Sequence, residues 1–483
     1  MGFSAEYHAA PIVPLTLLRL TAILLRIRIV GCSMNKIWFG AFALFVLMCS
    51  PDWAQSAPDM AALKGLAPVT VLLNTDAGEA ALGANYSVTG GIQTGLLPQP
   101  TLLPFSEQQQ QALRDAFITG SNLAQLADGL GTTLGSAYVA RYHYIDQSRT
   151  SKLPQSIGDL ISYATGVTGA HSNEGKYLFA NETTDGKTPV PADESALIKE
   201  IGGVADTFGK AYKLPAGTAG ADAYGDSRPF QTEPSVNLFE GPDYLNTPSG
   251  NFVYNHGPVM DLTNSPSYPS GHTTYGYTGA VLLAVLVPQR YAQMIARGAE
   301  YGNDRVIMGA HYVMDVLGGR ALALYDMAHL LSNDPAYMGL SMKGTPSIKD
   351  FRIAVKNARA ELIAALESGC GNTIDICASQ DTGRFSNASA DEAFYDATET
   401  YSLPSVYAKN ARALEDVQKL APNAGYLLTE AFPSLSLEEA DKILTETEGP
   451  GGGFLDNGSE FGVYSRINLY TAARRAEQIV ADK

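Results

Sequence analysis

The chain has 483 residues, of which 45% are hydrophobic and 17% are charged, and its formal net charge at pH 7 is −16. This length exceeds one ordinary domain and allows a large buried core. An acidic surface repels nucleic acid and anionic membranes, so the composition argues against nucleic-acid partners. An anion-binding pocket in such a chain has to be a local positive spot.

Two apolar stretches precede the body of the chain. Residues 1–33 contain three arginines and are typical of a start codon assigned too far upstream, and a membrane anchor over residues 11–30 is the alternative. Residues 34–56 combine a basic start, an apolar core and small residues at the end, which predicts a cleaved signal peptide. We therefore expect a periplasmic or secreted mature protein. Because no later apolar run reaches about 18 residues, we expect no stable membrane insertion.

The cysteines divide into two pairs. Cys32 and Cys49 fall in the segment that the signal would remove, whereas Cys370 and Cys377 remain. One close pair in an oxidising compartment predicts a disulfide. Two unpaired thiols are the alternative, and a metal site is less favoured because no histidine lies nearby.

Residues 57–104 are rich in Gly, Pro, Thr and Asn and predict an irregular arm with a short β-like segment at 68–73. After Ser106 the apolar pattern predicts a helix in which Leu113, Phe117 and Leu123 recur on one face. Further patterns predict loops over 215–266 and helices near 190–213, two or three over 272–332, one at 350–368 and one after Ser436.

The residues Tyr268-Pro269-Ser270-Gly271-His272 predict the start of one of these helices. Ser270 is a favoured N-cap residue, and an apolar stretch follows from 275 to 287. The free N–H groups at a helix N-terminus attract anions. Gly271 lets the backbone approach a bound group closely, and His272 is expected to lie over that anion.

A second histidine lies between an arginine and an aspartate, in the pattern Arg305-x5-His311-x3-Asp315. Two residues four apart lie on one face of a helix. Asp315 can therefore accept the Nδ1–H of His311 and leave Nε2 as a nucleophile or a ligand. The planar guanidinium of Arg305 suits phosphate oxygens.

Together with Arg228-Pro229-Phe230, these two motifs resemble the three-part signature of the type 2 phosphatidic acid phosphatase superfamily. The run "SYPSGHTT" is most similar to its soluble class A bacterial non-specific acid phosphatases. The resemblance implies an all-α helical bundle of the acid phosphatase and vanadium haloperoxidase type. In this scheme residues 191–335 are the catalytic core, 57–190 an N-terminal irregular and helical region, and 336–483 a C-terminal helical extension.

The resemblance also implies a role for each motif residue. His311 would attack phosphorus and become a phosphohistidine, Asp315 would orient it, and His272 would act as general acid and base. The phosphate oxygens would be held by Arg228, Ser270, Gly271 and Arg305. The expected substrate is a small-molecule phosphate monoester; the route needs no metal or other cofactor, and the sequence has no HExxH or paired-cysteine metal motif.

One position departs from the family pattern. The family has a lysine seven residues before the Arg-Pro pair, and Ala221 occupies that place. Lys210 and Lys213 lie upstream and are candidates to replace it. Two alternatives therefore accompany the phosphatase: a haloperoxidase with vanadate as its cofactor, and a non-catalytic phosphate-binding protein of the cell envelope.

Overall fold

A computed structural model describes residues 60–181, 226–232 and 262–483, except 68, 98–99, 117, 119–122, 147–148, 263–264, 343 and 412. The predicted signal peptide, the residues before it and the predicted helix at 190–213 lie outside these residues. Ala221, Lys210 and Lys213 also lie outside them.

The described residues are mostly α-helical, which confirms the predicted all-α class. A short antiparallel hairpin pairs β1 (Tyr144–Asp146) with β2 (Arg149–Thr150), and single 3-10 turns connect some of the helices. The helices are α1 (Met60–Leu66), α2 (Val69–Asn74), α3 (Asp76–Thr94), α4 (Phe105–Asp115), α5 (Gly131–Val139), α6 (Gln155–Asn181), α7 (Pro229–Thr232), α8 (Gly271–Leu286), α9 (Tyr291–Ile307), α10 (Val313–Leu331), α11 (Phe351–Cys370), α12 (Ile374–Ser379), α13 (Ala388–Thr400), α14 (Val417–Leu420), α15 (Tyr426–Thr429), α16 (Leu437–Glu446), α17 (Glu460–Tyr464) and α18 (Leu469–Ala481).

Helices α8, α9 and α10 form the centre of the fold. Nearly all of their residues are buried, and in α9 these include charged side chains such as Arg297 and Glu300. Helices α6 and α11 pack against α8, and α18 packs against α9. Both histidine motifs therefore lie beside buried helices of the described part of the chain.

The start of α8 lies close to α10 because a glycine in α10 has no side chain that would separate the two helices. A Cβ atom at Gly319 would lie 2.4 Å from the carbonyl oxygen of Ser270. The N–H of Ser270 donates to the carbonyl of Asp315 at 3.0 Å, which fixes the start of α8 beside the start of α10. This contact brings the two histidine motifs together.

The predicted irregular arm with a β-like segment at 68–73 is wrong. Helices α1, α2 and α3 occupy this region, and Leu66 and Leu72 are buried in the core. Tertiary packing outweighs the weak strand preference of β-branched residues. Thr75 caps α3 by accepting from the Gly78 N–H at 3.0 Å, a signal that the composition of the region obscures.

Helix α4 is also shorter than predicted. It begins at Phe105 and ends at Asp115, so Leu123 lies beyond it, although Leu113 and Leu123 are both buried. The periodic apolar pattern continues past the helix because Ile118 and Leu123, which lie beyond it, are also buried.

The C-terminal residues surround the central helices. The predicted helix at 350–368 is confirmed as α11, and the helix after Ser436 is confirmed as α16, which begins with a capping box. The predicted disulfide joins Cys370, the last residue of α11, to Cys377 in α12. Among the described residues, no helix is both long and apolar enough to span a membrane.

Candidate active site

The two motif histidines meet at the starts of α8 and α10. His272 Nδ1 lies 3.1 Å from His311 Nε2, and the two rings meet edge to face. His311 is fully buried and His272 is 5% exposed. Two imidazoles in contact away from bulk water can exchange roles in proton transfer with a bound group.

His311 and Asp315 make contact in a way that differs from the predicted shared helix face. His311 lies before α10, which begins at Val313, and Asp315 reaches back across this start. Its Oδ2 lies 3.3 Å from His311 Nδ1 and accepts from the Tyr312 N–H at 2.9 Å. The two residues are thus in contact because Asp315, in the first turn of α10, reaches back to His311, and not because both lie on one face of a helix.

The turn before His311 depends on a glycine. Gly309 has a φ of 69°, a conformation that suits glycine, and it ends α9. The N–H groups of Ala310 and His311 then donate to the carbonyl of Arg305 at 3.0 and 3.3 Å. The backbone therefore leaves α9 and turns His311 towards His272.

Arg228 contacts the free side of the His311 ring. Its Nη1 lies 2.9 Å from His311 Nε2, and it donates to the carbonyl oxygens of Ser265, Pro266 and Ala310 at 2.8, 3.0 and 3.0 Å. These carbonyls hold a fully buried guanidinium in place. A donor at Nε2 requires that this nitrogen keep its lone pair, so the Nδ1–H faces Asp315.

The surroundings of His311 disfavour its protonated form. Burial lowers the pKa of His311 well below its ordinary value, and the neighbouring Arg228 and His272 act in the same direction. A neutral imidazole with a lone pair on Nε2 is the form that attacks an electrophile.

The pKa of Asp315 is subject to opposing influences. Burial raises its pKa to about 6, while the hydroxyl of Ser267 and the N–H of Tyr312 lower it by donating to the carboxylate. Ser267 Oγ also lies 3.4 Å from His311 Nδ1. Sequence analysis gave no role to Ser267, although it is the first residue of the run "SYPSGHTT".

The N-terminus of α8 has the predicted cap. Ser270 Oγ accepts from the Thr273 N–H at 3.0 Å, and both residues are buried. The first N–H groups of a helix have no intrahelical acceptor, so they are available to an anion beside the two histidines. Gly271 leaves this end of the helix open to close approach.

Arg305 is fully buried, and its position differs from that of Arg228. Its Nη2 donates to the carbonyl of Ala112 at 2.9 Å, and its guanidinium carbon lies 4.9 Å from the centre of the Tyr301 ring. Its Nε and Nη1 have no hydrogen-bond partner within the described part of the chain. It is close enough to contribute to the lowered pKa of His311.

Sequence analysis also missed Lys176, which is near the end of α6. Lys176 is 6% exposed, and its Nζ lies 3.4 Å from the position that a Cβ atom on Gly271 would occupy. The sequence does contain one indication of this position: Thr168, Ser172 and Lys176 are spaced four residues apart, which places them on one face of a helix. In the structure all three are buried. The motif comparison does not reach this helix.

Residues 219–332 match the family model described as the PAP2 superfamily. The motif residues of both histidine-bearing segments and Arg228 fall inside the matched range.

Over part of its length, the chain is similar to bacterial acid phosphatases. It is 42% identical over 69 residues to an acid phosphatase of Zymomonas mobilis, a match that covers 14% of this chain and 26% of the relative. It is 44% identical over 69 residues to a non-specific acid phosphatase of Salmonella typhimurium, covering 14% and 28%. A non-specific acid phosphatase of Salmonella typhi is 36% identical over 102 residues, covering 21% and 40%. The chain thus spans well under half the length of these relatives.

Proposed function

We propose that this protein is a phosphomonoesterase that acts through a phosphohistidine intermediate. The observation that carries the proposal is the contact of a buried, neutral His311 with Arg228 on one side and His272 on the other, beside the N-terminus of α8. The similarity to acid phosphatases over the motif region supports the same reaction.

In the first step, His311 Nε2 attacks phosphorus as the bond between phosphorus and the leaving oxygen breaks. His272 donates a proton to that oxygen, so an alcohol leaves and the phosphoryl group is held on His311. Asp315 accepts the Nδ1–H and stabilises the positive charge that develops on the ring.

In the second step, a water molecule attacks phosphorus. His272, now neutral, takes a proton from the water, and the bond between phosphorus and Nε2 breaks to release inorganic phosphate. Arg228 and the first N–H groups of α8 stabilise the charge on the non-bridging oxygens in both steps. Arg305 contributes positive charge that acts on His311. The proposed reaction uses no metal or other cofactor.

We also propose a periplasmic or secreted location. The Cys370–Cys377 disulfide fits an oxidising compartment, and residues 34–56 have the pattern of a signal peptide. Mass spectrometry of the protein recovered from the periplasm tests this, since it should begin near residue 57 and shift on reduction. A protein retained in the cytoplasm with an intact N-terminus contradicts it.

Hydrolysis of p-nitrophenyl phosphate between pH 4 and 8 tests the reaction. The His311→Ala variant is expected to lose turnover by on the order of 10⁴-fold, because no other group can form the intermediate. Trapping of a phosphorylated histidine at position 311 would identify the intermediate. A variant that keeps its turnover would rule out the proposed nucleophile, and halide oxidation with added vanadate and peroxide would then be measured.

A further inference from the structure

Lys176 is a buried lysine whose charge lacks a partner. It is 6% exposed, and no residue in the described ranges forms a hydrogen bond or ion pair with its ammonium. An unpaired ammonium inside a protein is costly, so such a group is usually paired or placed for a ligand. Burial lowers the pKa of Lys176 to about 7, with Arg228 acting in the same direction and Asp226 and Asp315 opposing it.

Ser172 lies one helical turn before Lys176 on the same face of α6. Its hydroxyl is buried and has no hydrogen-bond partner among the described residues. A Cβ atom on Gly271 would lie 3.4 Å from Ser172 Oγ and 3.4 Å from Lys176 Nζ. Two unpartnered donors thus converge on the one residue of the α8 N-terminus that has no side chain.

Lys176 and Ser172 lie beside Gly271, the residue that precedes His272. The charge of Lys176 is close enough to lower the pKa of His311 and of Asp315. Arg228 reaches His311 Nε2 from another side. A tetrahedral anion between the α8 N-terminus and His311 therefore has an ammonium and a hydroxyl available from α6.

We propose that Lys176, assisted by Ser172, binds the phosphate group of the substrate and replaces the lysine that is absent at position 221. This inference rests on the proposed function, because it names a further ligand of the same phosphate. Lys176 lies far before Arg228 in the chain and on a different helix. Lys176 would therefore contact the phosphate from α6 and not from the segment that carries the family's motif lysine.

The test measures binding of inorganic phosphate to the full chain by calorimetry at pH 6, where Lys176 carries its charge. Lys176→Met is expected to weaken binding by about 10–100-fold, the range for losing one charge-assisted hydrogen bond. Ser172→Ala is expected to weaken it several-fold. Lys442→Met is the matched control, because the Lys442 side chain is 73% exposed on α16, and it should leave binding unchanged.

Thermal unfolding without phosphate separates binding from a structural role. Lys176→Met removes an unpaired buried charge, so its melting temperature should rise, whereas a lysine needed for packing would give a lower one. Binding within twofold of the parent in Lys176→Met, a lower melting temperature, or a parent that binds no millimolar phosphate would each overturn the inference.

Turnover distinguishes this inference from the proposed function. If the parent binds phosphate through Lys176 but does not hydrolyse p-nitrophenyl phosphate, the inference stands and the phosphatase proposal fails. If the parent hydrolyses the ester and Lys176→Met keeps the same KM and the same inhibition by phosphate, the phosphatase proposal stands and the inference fails.

Discussion

Two groups of buried charges in this protein are organised in opposite ways. The paired cluster consists of Asp115, Asp128, Arg297, Glu300, Asp304 and Arg384. The histidine site consists of Ser172, Lys176, Arg228, His272, His311 and Asp315. Both groups contact the central helices, and both are largely removed from water.

In the paired cluster the charges satisfy one another. Arg297 makes two hydrogen bonds to Asp115, at 2.7 and 2.6 Å, and one to Asp128 at 2.6 Å. Arg384 makes two to Glu300, at 2.8 and 2.7 Å. Burial raises the pKa of Asp304 well above its ordinary value, which favours the uncharged form of this carboxyl.

The histidine site has an excess of positive and unpartnered groups. Ser172 Oγ has no hydrogen-bond partner among the described residues. Lys176 interacts with the charges of Asp226 and Asp315, and Arg228 is held mainly by neutral carbonyls. A fully paired cluster stabilises the fold, whereas an incompletely paired one leaves hydrogen bonds for a ligand. The difference supports the proposal that the histidine site binds an anion.

The largest expected effect is on the stability contributed by the paired cluster. Arg297→Met leaves the fully buried Asp115 without its main partner and should lower the free energy of unfolding by about 3–5 kcal/mol. Urea unfolding measures it. Lys442→Met, which breaks only an exposed pair, should change it by less than about 0.5 kcal/mol. A loss below 1 kcal/mol in Arg297→Met would mean that the cluster does not stabilise the fold.

His272 should matter for chemistry and not for folding. His272→Ala is expected to slow the first turnover of an alkyl phosphate by about 10²–10³-fold, because the alkoxide needs a proton to leave. The first turnover of p-nitrophenyl phosphate, whose leaving group is stable as an anion, should slow by less than about 10-fold. Rapid-quench kinetics on both substrates measures this, and equal losses would contradict the role of His272 as general acid.

The sequence predicts the histidine site well where its determinants are local. The cap at Ser270, the apolar run after it and the helix that follows all appear within one short stretch, and α8 begins at Gly271 as expected. The shared helix face of His311 and Asp315 was wrong, since a spacing of four also arises when a side chain reaches back across a helix start.

Distant determinants could not be predicted. Lys176 is indistinguishable in sequence from any lysine on a long helix, and its position depends on how α6 meets α8. The paired cluster draws Asp115, Arg297 and Arg384 from separate parts of the chain, so no local motif indicates it. The helical N-terminal region was missed because its composition suggests an irregular chain while its stability comes from packing.

The pH dependence of stability provides a smaller test of the unpaired charge. Lys176 releases its proton at about pH 7 in the folded protein but only near its ordinary value of 10.5 when unfolded. The unfolded state therefore binds more protons above pH 7, and this group makes stability rise with pH by at most about 1.4 kcal/mol per pH unit. Asp226, Arg228 and Asp315 interact with Lys176 and are present in both proteins, so their own titration contributes to both curves. Between pH 7 and 9, without phosphate, Lys176→Met should lack this slope, and parallel curves would show that Lys176 is paired.

The smallest expected effect concerns the open end of α8. An alanine at Gly271 places its methyl group 3.4 Å from Lys176 Nζ and Ser172 Oγ, so it fits the free protein. Because alanine restricts the unfolded chain, the free energy of unfolding should stay unchanged or rise by up to about 1 kcal/mol. The methyl group nevertheless occupies the space in which the donors converge, so KM and the inhibition constant of phosphate should rise by about 10-fold, or about 1.4 kcal/mol. Gly158→Ala is the matched control: it is also helical, its Cβ would meet only Leu153 at 3.8 Å, and it should leave both constants unchanged. If Gly271→Ala lowers stability and leaves KM unchanged, the glycine serves packing alone and the α8 N-terminus is not where phosphate binds.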